Sequence, residues 1–545
     1  QGFEAFRGKL GKSAKALRAY CDFDVEFEKE AEKLGSYAFL RASEDVANDT
    51  YQGMMGRYTF MATRAGETAS FIAPEIQAIP KKTMDRFLKS AALKPHILGK
   101  KEERLLAMQG EVAGTASKIF GQLTDADFKF GSVTDESGKK VELTQSSFRV
   151  LLESPKRAVR KQAFDKFYKV HEEHANTLAA ALSSSVLQNI YHARVRNHPS
   201  ALEGALFGDK IPVPVYDNLI AAVRNNTDTM HRYLELRRKA LKLKELHSYD
   251  TYVPIVDAKR SQIPYAKAAD LVCEALAPLG DAYGKTLRRG LHGRWVDRYE
   301  NKGKRSGAFS AGGYTGPPYI LMNYKEDVLD SAFTLAHEAG HSMHTYFSAK
   351  NQSFQCYQYT IFVAEVASTF NEQLLNEHLM SQAKDKTRRA VLINRELEEI
   401  RGTIIRQTMF AEYEKQIHAI AEAGEPLTLE RLRNEYRSLL KFYFGLDFII
   451  DDPLTLEGLR IPHFYRAFYV YKYATGLSAA TALARGVLDG GKKDRDRYLT
   501  FLKSGGSKFP LELLRDAGVD LEKSGPVESA MVHFKYLVEE LEGLL

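Results

Sequence analysis

Cysteine is scarce in this chain: Cys21, Cys273 and Cys356 are the three in 545 residues, far apart and without a C-x-x-C pair. Three such residues cannot build a disulfide framework, so a reducing, cytoplasmic setting is expected rather than secretion. Cys356 reads as a plain buried thiol. No run of about 18 apolar residues occurs, which argues against a transmembrane helix and a membrane partner. Internal repeats and low-complexity tracts are also missing, and no concentrated Lys/Arg run with interleaved aromatics appears. With a net charge of only +7 over the whole length, nucleic acid is not an expected partner. Gly312-Gly313 lacks the following lysine and serine or threonine of a phosphate loop, so it is a weak candidate for a phosphate cradle. The first residue is Gln1 rather than Met, which leaves a removed leading segment open.

What is present is an ordinary globular composition, 44% hydrophobic and 27% charged. The length exceeds one simple core, so two or more packed lobes are expected. Helical periodicity dominates and sets the fold class as mainly α; Leu105, Val112, Ala116, Ile119 and Phe120 recur at that spacing. One β-hairpin stands out between Phe130 and Leu143, with Ser137-Gly138 at its turn. The stretch Arg157 to His174 reads as a charged helix. Its His171-Glu172-Glu173-His174 run is flanked by lysines and acids and reads as a solvated face rather than a metal site.

The most informative run is Phe333-Thr334-Leu335-Ala336-His337-Glu338-Ala339-Gly340-His341-Ser342-Met343-His344. Acidic residues at its start, apolar faces and the absence of proline predict one helix from Asp327 to about Ser348. On a helix, positions four apart lie about 40° apart around the axis, so His337 and His341 share a face and can reach one Zn²⁺ ion. Glu338 is angled off that face and is placed to act as general base on a zinc-held water. His344 packs or caps locally. A zinc site needs a third protein ligand, and Glu365 is the candidate: a carboxylate within the apolar helical stretch Ile361 to Phe370, where burial without a partner is expensive. Glu372, seven residues on and about 20° away, is placed to accept the second N–H of a ligand histidine; the alternative is an ordinary solvated carboxylate.

HEAGHSMH followed by FVAEVASTFNEQLL resembles the thimet-oligopeptidase-like zinc metallopeptidases, and specifically their oligoendopeptidase F branch. Pro462 to Gly476 looks like that branch's C-terminal active-site motif, and the stretches Gly316 to Tyr324 and Arg194 to Glu203 are supportive. The resemblance runs from about Arg104 onward. It implies His337, His341 and Glu365 as ligands of one Zn²⁺ per chain and Glu338 as the base. It also implies an oxyanion-stabilising histidine and tyrosines in the C-terminal segment. His463 carries over. The tyrosine spacing departs from the thimet pattern: Tyr465, Tyr469 and Tyr473 recur every four residues, as along one helical face. Tyr469 is taken as oxyanion donor, with Tyr465 and Tyr473 as neighbours contacting substrate; the alternative is an aromatic packing stripe. Tyr319, in a short strand-like run before the zinc helix, is assigned to substrate through an exposed strand edge, with the glycines before it as a flexible lid.

Together these readings give an N-terminal helical region over 1–185, including the hairpin near 130–143, and a zinc-metallopeptidase catalytic region over 186–545. The resemblance further implies a two-lobed helical body around a deep substrate channel, with a small β element near the zinc helix. Such a channel admits short unstructured peptides. The function expected is zinc-dependent hydrolysis of internal peptide bonds. Two alternatives stay open, an HExxH metallocarboxypeptidase and a peptide-binding module without turnover.

Overall fold

Helices carry nearly all the regular structure of the computed structural model, which describes residues 2–72, 75, 96, 98–256 and 262–545. The chain divides into two compact units, each assembled from three stretches. The first comprises Gln1–Lys94, Arg260–His378 and Leu483–Gly518; the second comprises Pro95–Lys259, Leu379–Ala482 and Val519–Leu545. The sequence division near 185 falls inside the helix Ala175–Val195, within the second unit. No helix among the described residues is long and apolar enough to cross a membrane.

In the first unit, helices Ala14–Glu44 and Asp49–Ala69 pack on one another, and Ser13 and Asn48 side chains accept the first free amides of each. A three-stranded sheet has Tyr319–Leu321 in the middle, parallel to Val296–Asp297 and antiparallel to Phe309–Ala311. The exposed edge expected at Tyr319 is therefore not formed there. The glycine-containing connection folds the chain back, so Phe309–Ala311 occupies that side and becomes an outer strand of the sheet. The Tyr319 hydroxyl donates instead to Glu44 at 3.3 Å.

The HExxH helix spans Asp330–Asn351, three residues later at its start than its sequence suggests. Ser331 Oγ accepts the Lys325 amide at 3.1 Å and closes the preceding residues into a turn. Phe333, Leu335, Ala336, Ala339 and Met343 are buried along this helix. It packs against the helix Lys492–Ser504 and both nearer strands of the sheet. The next long helix, Ile361–Gln382, buries Phe362, Val363, Val366, Ala367 and Phe370, the all-round apolar pattern of an internal helix. Phe370 stacks on Tyr498 with ring centroids 3.7 Å apart.

The second unit contains the expected hairpin as Ser132–Thr134 paired antiparallel with Lys140–Glu142. Asp135 accepts the Ser137 and Lys139 amides at 2.9 Å and sets the turn, with Gly138 at positive φ. His171 is buried against Phe128, Phe130 and Phe167 with Nδ1 on the Phe167 carbonyl, so it is a core histidine. The apolar set from Leu105 to Phe120 is helical but broken at Gly114. Leu105 and Val112 are exposed, while Leu106 and Phe120 are buried.

The core of this unit also holds charge. Glu457 accepts from Arg406 at 2.5 Å and Arg460 at 2.8 Å through one oxygen, and from the Tyr436 hydroxyl at 2.6 Å through the other. Removing that carboxylate leaves two guanidinium groups short of their counter-charge in a low-dielectric interior. Glu457→Ala is expected to lower stability by about 3–5 kcal/mol in urea unfolding. An unchanged unfolding midpoint would mean the two arginines find compensation in their tyrosine neighbours.

Candidate metal centre

His337 and His341 project from one face of the HExxH helix with ring centroids 4.9 Å apart, as the four-residue spacing requires. The carboxylate of Glu365 faces both: its Oε2 lies 3.4 Å from His337 Nε2 and 3.6 Å from His341 Nε2. Among the described residues, these three are the His/Cys/Asp/Glu group whose ligand atoms converge to within 4.8 Å. Ligand atoms on a tetrahedral shell of radius about 2.0–2.1 Å stand roughly 3.3 Å apart, so the cluster is close to that shape. Glu372 meets the other nitrogen of the first histidine, with His337 Nδ1 donating to Glu372 Oε1 at 2.7 Å. That bond fixes the ring and directs Nε2 toward Glu365 Oε2.

Several residues that the sequence reading passed over make this geometry. Gly340 is where the HExxH helix touches the backbone of Ile361–Gln382. A Cβ there would stand 2.5 Å from the Ala367 carbonyl oxygen and 2.6 Å from Ser368 Cα. Asn371 links the same two helices, donating to the Ala336 carbonyl at 3.1 Å and accepting from the Tyr283 hydroxyl at 3.3 Å. Ser368 Oγ donates to Glu365 Oε2 at 3.0 Å and steadies the carboxylate. The signals were there: a glycine inside a helix, and a polar Asn and Ser in an apolar stretch.

The electrostatics of the cluster follow from burial and from three carboxylates around two imidazoles. Burial opposes a charge on His337, yet its hydrogen bonds to Glu365 and Glu372 hold its proton affinity well above the usual histidine value. Burial, then the charge on His337, pushes His341 down to about 4. Burial raises Glu365, but its hydrogen bond to His337 and the charges of both histidines outweigh that and hold it at about 2. Glu338 goes the other way, pushed up to about 7 first by burial and also by the charges of Glu365 and Glu372, with His337 opposing. Its Oε2 is buried and has no hydrogen-bond partner among the described residues. An ionised carboxylate, two imidazole nitrogens directed at it and an orphaned acceptor beside them fit a divalent cation and a bound water. His344 lies apart, stacked on Tyr359 with centroids 3.6 Å apart and against Phe501.

The second unit gathers His463, Tyr469 and Tyr473. His463 lies 5.7 Å, ring to ring, from each tyrosine, and Tyr473 Oη is 3.2 Å from His463 Nε2. Arg466 sits 4.7 Å over the Tyr469 ring. Burial, then Arg466, depresses the basicity of His463. The three tyrosines do not share a helical face. A 3-10 turn covers Pro462–Tyr465, Phe468 takes the left-handed conformation at φ 54°, and the helix begins at Tyr471. Tyr465 consequently leaves the group: its ring stacks on Phe120 at 4.4 Å and its hydroxyl is buried without a hydrogen-bond partner among the described residues. That is the setting of a packing aromatic.

Residues 150–533 match the family described as Peptidase family M3, and residues 75–130 match Oligopeptidase F. The chain is 43% identical to oligopeptidase PepF of Bacillus subtilis over 99% of this chain and 82% of that protein. It is 39% identical to an oligoendopeptidase F homolog of Borreliella burgdorferi over 95% and 89% respectively. The crystal structure of oligoendopeptidase-F from Enterococcus faecium superposes with a TM-score of 0.78 at 33% identity, covering 99% of this chain and 96% of that one.

The contact at Gly340 yields a test. Gly340→Ala forces the two helices apart where Glu365 meets the histidines. Affinity for a divalent metal is expected to fall by about 10–100-fold, the range seen when groups that orient metal ligands are disturbed. Chelator competition on protein with unchanged far-UV circular dichroism measures it. An unchanged affinity would show that the helix spacing does not set the site.

Proposed function

The chain belongs to peptidase family M3, in its oligoendopeptidase F branch, and is a metalloendopeptidase; on that premise we propose that it is a zinc-dependent oligopeptidase cutting internal bonds of short unstructured peptides. The observation that carries this reading is the convergence of His337, His341 and Glu365 beside the unpartnered carboxylate oxygen of Glu338. Two imidazole nitrogens and one carboxylate are the ligand set of a catalytic zinc site, which keeps its fourth position open. These three residues would hold one Zn²⁺ per chain. When bound, Zn²⁺ supplies Lewis acidity, polarising the scissile carbonyl and lowering the pKa of water.

The chain's own residues do the rest. Glu338 accepts the proton of the attacking water and returns it to the leaving amine nitrogen. Glu372 keeps His337 in the tautomer and orientation that ligation needs. His463 and Tyr469 donate hydrogen bonds to the carbonyl oxygen as it gains negative charge, with Tyr473 holding the His463 ring. The main chain of an extended peptide pairs with the outer strand Phe309–Ala311, where Ser310 is joined to Ser342 of the HExxH helix at 2.8 Å. Tyr319 supports that strand from the middle of the sheet. The unpaired thiols Cys21, Cys273 and Cys356 support a reducing, cytoplasmic setting for peptide turnover.

Mass-spectrometric product mapping on peptides of increasing length, with and without chelator, tests the reading. Internal cuts that vanish with chelator and fade as substrates lengthen or fold are expected. Stepwise loss of C-terminal residues would replace it with an exopeptidase. Two variants test the roles. Glu338→Gln is expected to retain zinc and lose most turnover, and wild-type turnover in the zinc-loaded variant would refute the base. Glu372→Ala is expected to weaken zinc binding about 10–100-fold while the fold persists.

A further inference from the structure

Glu414 is fully buried near the middle of the helix Arg406–Glu422, in the second unit, and among the described residues it belongs to neither the metal cluster nor an ion pair. One carboxyl oxygen has no hydrogen-bond partner among the described residues. The other accepts the backbone N–H of Phe468 at 3.0 Å. Burial keeps this carboxyl protonated far above the usual range. An unpaired carboxyl in such a place is unfavourable unless its one contact matters.

Phe468 is the aromatic among four non-glycine residues at positive φ in the described structure, and a bulky side chain there is strained by about 1–3 kcal/mol. The ring is anchored inward, 4.5 Å from His418 and 5.9 Å from Tyr216. His418 Nδ1 in turn bonds the Glu414 carbonyl at 2.8 Å, and the Tyr216 hydroxyl donates to the Ala411 carbonyl at 2.7 Å. One helix thus grips both the ring and the amide of the residue that turns the chain from His463 to Tyr469.

We propose that Glu414 is a positioning residue for peptide hydrolysis: by accepting the Phe468 N–H it locks the left-handed turn that brings Tyr469 and Tyr473 against His463. This rests on the reading that His463 and Tyr469 stabilise the oxyanion. Because the contact is one oxygen accepting one N–H, an amide oxygen in its place does the same work, whereas an alkyl group of similar size leaves the Phe468 N–H buried and unpaired.

Four zinc-loaded, full-length variants are compared with wild type on one internally quenched peptide: Glu414→Leu, Glu414→Gln, His463→Ala and the Glu414→Leu/His463→Ala double. Glu414→Leu is expected to lower kcat about 10–100-fold, as for catalytic groups displaced by about 1 Å, with KM and zinc content close to wild type. Glu414→Gln restores kcat. The double variant is no slower than His463→Ala alone, because both changes remove one function. Wild-type kcat in Glu414→Leu beside a slow His463→Ala overturns the positioning role alone, as does an additive double. Wild-type kcat in His463→Ala overturns the reading beneath it. Should Glu414→Leu fail to fold, Phe468→Gly takes its place, since glycine accepts this φ without strain and frees the turn. A reduced kcat there supports the proposal, and a wild-type kcat overturns it.

Discussion

The backbone contact at Gly340 is the constraint on which the metal cluster depends. Two long helices meet there with no room for a methyl group. That closeness lets a glutamate as short-reaching as Glu365 face two histidines on the neighbouring helix. Glycine inside a helix is unfavourable by about 1 kcal/mol relative to alanine, so its presence in a buried helix marks a demand from packing rather than from propensity. Asn371 adds direction to the closeness. Its amide reaches the Ala336 carbonyl, one residue before His337, and thereby fixes the axial register of one helix against the other.

Buried carboxyls in this protein meet different environments, and the environment assigns the task. Glu457 is surrounded by arginines and serves the fold. Glu365 is held ionised by two histidines, the state a metal ligand must have. Glu338, a neighbour in the same cluster, is driven upward by burial and by the carboxylates around it. Two carboxyls in one cluster are thus pushed in opposite directions by their surroundings. Glu414 pairs with no cation among the described residues, and one of its oxygens accepts the Phe468 amide.

The candidate metal cluster was legible in sequence because helical period carries it. His337, His341, Glu365 and Glu372 project where spacings of four and seven on uninterrupted helices put them. The mainly helical class and the short hairpin were legible for the same reason, periodicity and turn chemistry being local. What failed was non-local or conformational. No pattern announces that Phe309–Ala311 will fold back beside Tyr319–Leu321, because strand order is settled by pairing rather than by either strand's residues. The grouping of separate stretches into two units is likewise invisible to a reading along the chain. The four-residue repeat of Tyr465, Tyr469 and Tyr473 was a true spacing given the wrong backbone.

That last error is informative about how the site is built. Had the segment continued as a helix, His463 and Tyr469 would stand about 9 Å apart along the axis and about 120° around it, and Tyr473 about 15 Å along. Their observed ring separation of 5.7 Å and the 3.2 Å contact from Tyr473 require the chain to double back between them. Metal ligands tolerate straight helices, because an ion needs side chains converging from adjacent faces. His463, Tyr469 and Tyr473 are close in sequence, and a regular helix would spread them along its length. The left-handed Phe468 is where the chain turns to bring them together, and its amide is bonded to the buried carboxyl of Glu414.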